Sequence, residues 1–91
     1  MSIVKVLELS TAHLSRDTRA LLRDQSPEIL NQLAVYDSEY GWFIPTVVGS
    51  TDGLPADLAE CIAYANEHDC LWLHFDCDEE ICGDLPQYSD Q

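Results

Sequence analysis

Ninety-one residues, 46% of them hydrophobic, suffice for one domain with a modest core and are too apolar for a disordered chain. Seventeen acids against four bases give a net charge of −13, a field that repels nucleic acid and anionic membrane and attracts basic surfaces. No apolar run approaches the ~18 residues of a membrane span, and Met1-Ser2-Ile3-Val4-Lys5 leads into no signal-peptide core, so the expectation is a cytoplasmic protein.

In chain order, Ile3–Leu9 is β-branched and aliphatic and predicts a buried strand. Ser15 is the best helix N-cap, with Asp17 in the first turn where the helix dipole favours an acid. The helix from Arg16 carries one stripe of Leu14, Thr18, Leu21 and Leu22 and another of Arg16, Arg19 and Arg23. Pro27 ends it near Gln25. One further helical turn is expected over residues 27–31.

Residues 33–36 and 42–48 read as a hairpin around the turn composition of Asp37-Ser38-Glu39-Tyr40-Gly41. Pro45 cannot donate to a ladder, which predicts an edge strand or a bulge. Pro55 opens a helix whose stripe is Leu54, Leu58, Cys61, Ile62 and Ala65, with Asp57, Glu60 and Glu67 on the acidic side. In the last strand Leu71, Leu73 and Phe75 alternate with Trp72, His74 and Asp76, so one face is wholly apolar and the other mixed. Cys77 shares the apolar parity and Cys61 the helix stripe, which places both in the core. Ile81-Cys82 extends the sheet briefly before a polar tail from about Gln87.

The order strand, helix, strand, strand, helix, strand predicts a single α+β domain over residues 1–91. It is the ferredoxin-like β-α-β-β-α-β arrangement, an antiparallel sheet with two helices on one face. In that topology the first and third strands are central and the last is an edge. An apolar edge invites pairing, so a homodimer is one expected resolution.

The four bases all lie in residues 1–23, beside only Glu8 and Asp17, a balance of 4 − 2 = +2; residues 24–91 hold fifteen acids and no Lys or Arg. Asp57, Glu60, Glu67, Asp69, Asp76, Asp78, Glu79, Glu80 and Asp84 fall in 28 consecutive residues. Carboxylates displayed this densely imitate DNA phosphates, which place one charge per ~1.7 Å of duplex. They predict a non-enzymatic inhibitor docking on a basic nucleic-acid-binding protein, without itself binding nucleic acid. The competing reading is a general protein-interaction module whose charge serves solubility.

The third reading is a metal-dependent enzyme. Asp76-x-Asp78 at a strand end can hold Mg²⁺ for aspartyl phosphotransfer. Such enzymes need a larger parallel sheet and a lysine, and Lys5 is the last lysine of the chain. The acids lack EF-hand spacing, and Cys61, Cys70, Cys77 and Cys82 with His68 and His74 lack a zinc-knuckle repeat. No cofactor is implied. His13 is read as a local hydrogen-bonding residue.

Three stretches carry a family resemblance: Leu9–Leu14; Glu39-Tyr40-Gly41-Trp42-Phe43; and Leu54–Leu58 running through Asp76-Cys77-Asp78 to Asp84–Tyr88. They resemble an uncharacterised family of small proteins from plasmids and other mobile elements of proteobacteria, with Tyr-Gly-Trp-Phe as the most specific piece. That family brings no catalytic residue. Relatives often have Gly after the Asp-Cys-Asp, where this chain has Glu79. In size and charge the chain also resembles anti-CRISPR and anti-restriction inhibitors, which implies a partner such as a CRISPR effector.

Overall fold

A computed structural model describes residues 2–88. The strands are β1 (Val6–Ser10), β2 (Tyr36–Ser38), β3 (Gly41–Pro45) and β4 (Trp72–Asp76). The helices are α1 (Arg16–Arg23), a single turn α2 (Pro27–Leu30) and α3 (Ala56–Glu67), with a 3₁₀ turn at Thr11–His13. The expected α+β class holds. The part of the polar tail beyond Tyr88 lies outside the described residues.

The sheet order is β1-β4-β3-β2. β1 pairs parallel to β4, while β4–β3 and β3–β2 are antiparallel. This corrects the ferredoxin-like expectation in two respects: the sheet is mixed, and β4 is central while β1 is an edge. The physical reason lies in β4 itself. Leu73 and Phe75 are fully buried, and a strand this apolar is a poor edge, so both of its rims are bonded. The reason given for edge-to-edge dimerisation through the last strand disappears with it.

β3 is also internal, against the expectation from Pro45. β2 is short and reaches only Phe43, so Pro45 lies past its end and faces β4 alone. The next bond to β4, Thr46 N–H to Leu71 O at 2.9 Å, continues the pairing. Gly41 explains why the Tyr-Gly-Trp-Phe stretch has its glycine: a Cβ there would come within 1.7 Å of Phe75 O. Tyr40 O accepts Cys77 N–H at 3.0 Å just beyond it.

One face of the sheet carries the core. Leu9, Ile44, Leu73 and Phe75 pack with Leu14, Leu22, Ile29, Leu58, Cys61, Ile62 and Ala65 from the helix layer. Three expectations for this layer are not met, although Cys82 does pack against the core. Leu71 is 43% exposed because it precedes β4, Cys77 is exposed in the turn after it, and Ile81-Cys82 forms no strand.

The helix ends follow their sequence. Ser15 Oγ accepts Thr18 N–H at 3.2 Å, the expected cap. Pro55 is the N-cap of α3 and not its first helical residue. α1 and α3 both end in Schellman turns with a non-glycine residue in the left-handed region. Gln25 has φ 48° and Asp69 φ 59°, while Ser26 N–H reaches Leu21 O and Cys70 N–H reaches Ala65 O. Lys5 Nζ donates to His68 O at 2.8 Å, a cation at the negative end of α3.

Candidate functional site

The nine acids grouped by sequence do not form one surface. Asp57 is the clearest departure: it is 7% exposed and belongs to the helix layer's internal wiring. Its Oδ2 accepts Ser15 N–H at 2.6 Å and its Oδ1 accepts the Thr18 hydroxyl at 2.8 Å. It stands in the first turn of α3 and faces the first turn of α1, so one carboxylate satisfies donors at one helix start and complements two dipoles. The spacing carried the signal: Asp57 is four residues before buried Cys61 and eight before buried Ala65, on the margin of the apolar stripe.

Of the others on α3, Glu60 and Glu67 are exposed at positions i and i+7. Asp69, also exposed, is the left-handed residue of the Schellman turn. Asp78 and Glu80 are exposed beyond β4, and Glu79 is half-buried. Exposed Asp84 accepts the Tyr64 hydroxyl at 2.9 Å, tying the C-terminal segment to α3. The Cys82 thiol contact at 3.7 Å, and then that bond to Asp84, push the Tyr64 phenol well above its ordinary value.

Asp76 shares the parity of Trp72 and His74 and therefore lies on the sheet face opposite α3. Donor atoms of Asp76, Cys77 and Asp78 come within 4.8 Å of one another. Asp76 Oδ1 already accepts Asp78 N–H at 2.8 Å, the geometry of an Asx turn. Partial desolvation by the surrounding turn, and then the charges of Asp78 and Asp76, hold the exposed Cys77 thiol above its usual range, which suppresses its thiolate. Lys5 sits before β1 and beside Leu71, at the opposite end of β4 from Asp76, so the aspartyl-phosphotransfer grouping does not assemble.

His13 is buried and binds far along the chain. Cys82 N–H donates to Nε2 at 2.9 Å, which leaves Nδ1–H to donate to Pro86 O at 2.8 Å. The ring is thus the neutral Nδ1–H tautomer and clamps residues 82–86 against the 3₁₀ turn. Cys61, beneath it, is pushed up to about 12 by burial and then by the charges of Asp57 and Glu60. All four thiols are free.

Sequence reasoning missed the open face of the sheet as a site. Val6, Glu8, Phe43, Trp72, His74, Tyr36 and Ser38 alternate with the core-facing positions, and among the described residues no helix lies over them. One register row crosses all four strands: Glu8, His74, Phe43, Tyr36. His74 stacks flat on Phe43, with ring centroids 4.1 Å apart and planes 6° from parallel. Its Nδ1 is 3.2 Å from Glu8 Oε1 and its Nε2 3.2 Å from Ser38 Oγ. This has the connectivity of a serine–histidine–acid relay. These two contacts fix the ring on Phe43.

Beside the relay, Val4, Val6, Tyr36, Phe43 and Trp72 line an apolar groove of about 370 Å³. The alternation Trp72, His74, Asp76 was the legible sign of this face; that two aromatics from the hairpin would join it required the register.

A family model described as a family of unknown function (DUF5983), C-terminal domain, matches residues 6–90. No curated protein and no solved structure matches the chain.

Proposed function

The chain belongs to this family of unknown function, and we propose that it is a non-enzymatic binding protein that docks on the basic surface of a nucleic-acid-binding protein and blocks it. The observation that carries this reading is the charge distribution. Residues 24–91 contain no Lys or Arg, and their exposed acids are spread over the end of α1, α2, the β2–β3 hairpin, the loop before α3, α3 with its C-terminal turn, and the segment after β4. An acid field wrapped around the domain suits a partner that encloses it, such as the positively charged channel of a CRISPR effector. Glu60, Glu67, Asp69, Asp78, Glu80 and Asp84 supply the contacts, with Asp76 and Glu79 half-buried beside them and Asp57 left to its structural role. An inhibitor of this kind suits carriage on a mobile element and action in the cytoplasm.

The test is competition. A nucleic-acid-binding target captured by the protein should lose its nucleic acid, with affinity falling steeply as salt rises. Reversing Glu60, Glu67, Asp78 and Glu80 together should abolish capture while leaving the thermal transition in place. Unchanged inhibition by the reversed variant would end the charge-mimic reading. The groove on the open sheet face supports a second reading, a general protein-interaction module or homodimer, since a small soluble domain seldom leaves such a patch without use. Sedimentation across a hundredfold concentration range separates the two.

A further inference from the structure

We propose that the groove on the open sheet face is a receptor for an arginine side chain of the partner. The proposal rests on the reading that the partner is basic. Three aromatics define the pocket, and their angles matter. Tyr36 and Trp72 meet across β3 with centroids 5.9 Å apart and planes 52° from parallel, and both line the groove together with Phe43. Phe43 is held from its other side by His74, which Glu8 and Ser38 fix. A guanidinium entering such a corner meets the negative faces of rings that need no rearrangement to receive it.

Charge complementarity identifies the occupant. All four cations of the chain belong elsewhere: Arg16, Arg19 and Arg23 are on α1 in the helix layer, and Lys5 is spent on His68 O at the end of α3. The acid next to the groove on its own face is Glu8, next along β1 from Val6. An apolar, aromatic pocket with Glu8 next to it on the same face, in a protein of charge −13, selects a flat cation over an anionic group. Its size, about 370 Å³, is at the small end for a ligand site and suits one side chain with its stem along Val4 and Val6. A second copy of the chain is disfavoured by the same charge.

The experiment titrates the ¹⁵N-labelled full chain with a decapeptide of alternating glycine and arginine, and with its citrulline counterpart, which keeps the shape and loses the charge. The arginine peptide should shift the Trp72 indole N–H and spare that of Trp42, which packs against the core on the covered face. Tyr36→Leu and Trp72→Leu should each weaken binding by roughly two- to thirtyfold, the range of one cation–π contact. Tyr36 is half-exposed, so its variant keeps the test valid if Trp72→Leu unfolds. Equal shifts from the citrulline peptide would overturn the proposal, as would Trp72 shifts driven by protein concentration alone, which mark a second copy in the groove. Binding lost on reversal of Glu60, Glu67, Asp78 and Glu80 but unchanged in both leucine variants would sink the groove and leave the charge-mimic reading standing.

Discussion

The two faces of this sheet are built from the same strands, and they solve opposite problems. On the covered face Leu9, Ile44, Leu73 and Phe75 are wholly buried under the helix layer. On the other, Val6 and Tyr36 are exposed, and Phe43, Trp72 and His74 are half-buried among the side chains of that face. The difference shows where side chains hold the fold and where they are held by it. A core residue is fixed by contacts on all sides. A ring on the open face is fixed by stacking and hydrogen bonds from beneath, as Glu8 and Ser38 fix His74 on Phe43, and its outer surface stays available.

The comparison breaks most sharply at Phe75, the largest fully buried side chain. Phe75→Ala removes the centre of the covered face and should cost about 3–5 kcal/mol, measured by urea unfolding. In a domain this small that consumes most of the expected margin. Asp57→Ala comes next. It strands Ser15 N–H and the Thr18 hydroxyl at the start of α1, charge-assisted bonds whose loss costs about 1.5–3 kcal/mol. Hydrogen exchange should localise the loss to α1 and the start of α3 and leave β3 and β4 protected.

Much of the covered face was legible. Apolar spacing picked out α1 and α3, and the alternation in β4 separated Leu73 and Phe75 from Trp72 and His74, because burial against one layer imposes period on the sequence. Strand order was not legible. Local pattern cannot say which strand takes β4's second rim, and that choice rests on long-range pairing of β1 with β4. Asp57 was misread for a related reason: helical position marks a margin residue as exposed unless the neighbouring helix is known to bring donors to it. The open face was half legible, since its β4 residues show in sequence but their meeting with Phe43 and Tyr36 depends on register. The family resemblance located Tyr40-Gly41-Trp42-Phe43 and gave no reason for it; the structure supplies one in the close approach of Gly41 to β4.

Alkaline pH acts on the covered face. Cys61 is pushed up to about 12 by burial, so between its unfolded value near 9 and about 12 the folded chain keeps a proton that the unfolded chain has released. The unfolded state then binds fewer protons, and stability falls as pH rises through that window. By pH 10 the loss should be on the order of 1 kcal/mol, read from the urea midpoint. Cys61→Ala should flatten the slope by that amount. Tyr64, raised in the same direction by its bonds to Cys82 and Asp84, adds to what remains.

The smallest expected effect discriminates best between the faces. Tyr36→Ser deletes an aromatic ring, as Phe75→Ala does, from the same sheet and two strands away. Tyr36 is 54% exposed and its partner Trp72 keeps Val4, Val6 and Phe43 around it. The stability change should therefore be within about 0.5 kcal/mol, the range of surface substitutions. Binding to a basic partner should fall nonetheless, because the substitution removes one wall of the groove. A loss of several kcal/mol in unfolding would instead show that the open face is a second core and that the two faces do the same work. Unfolding and binding measured on this one variant thus separate a surface that stabilises from a surface that recognises.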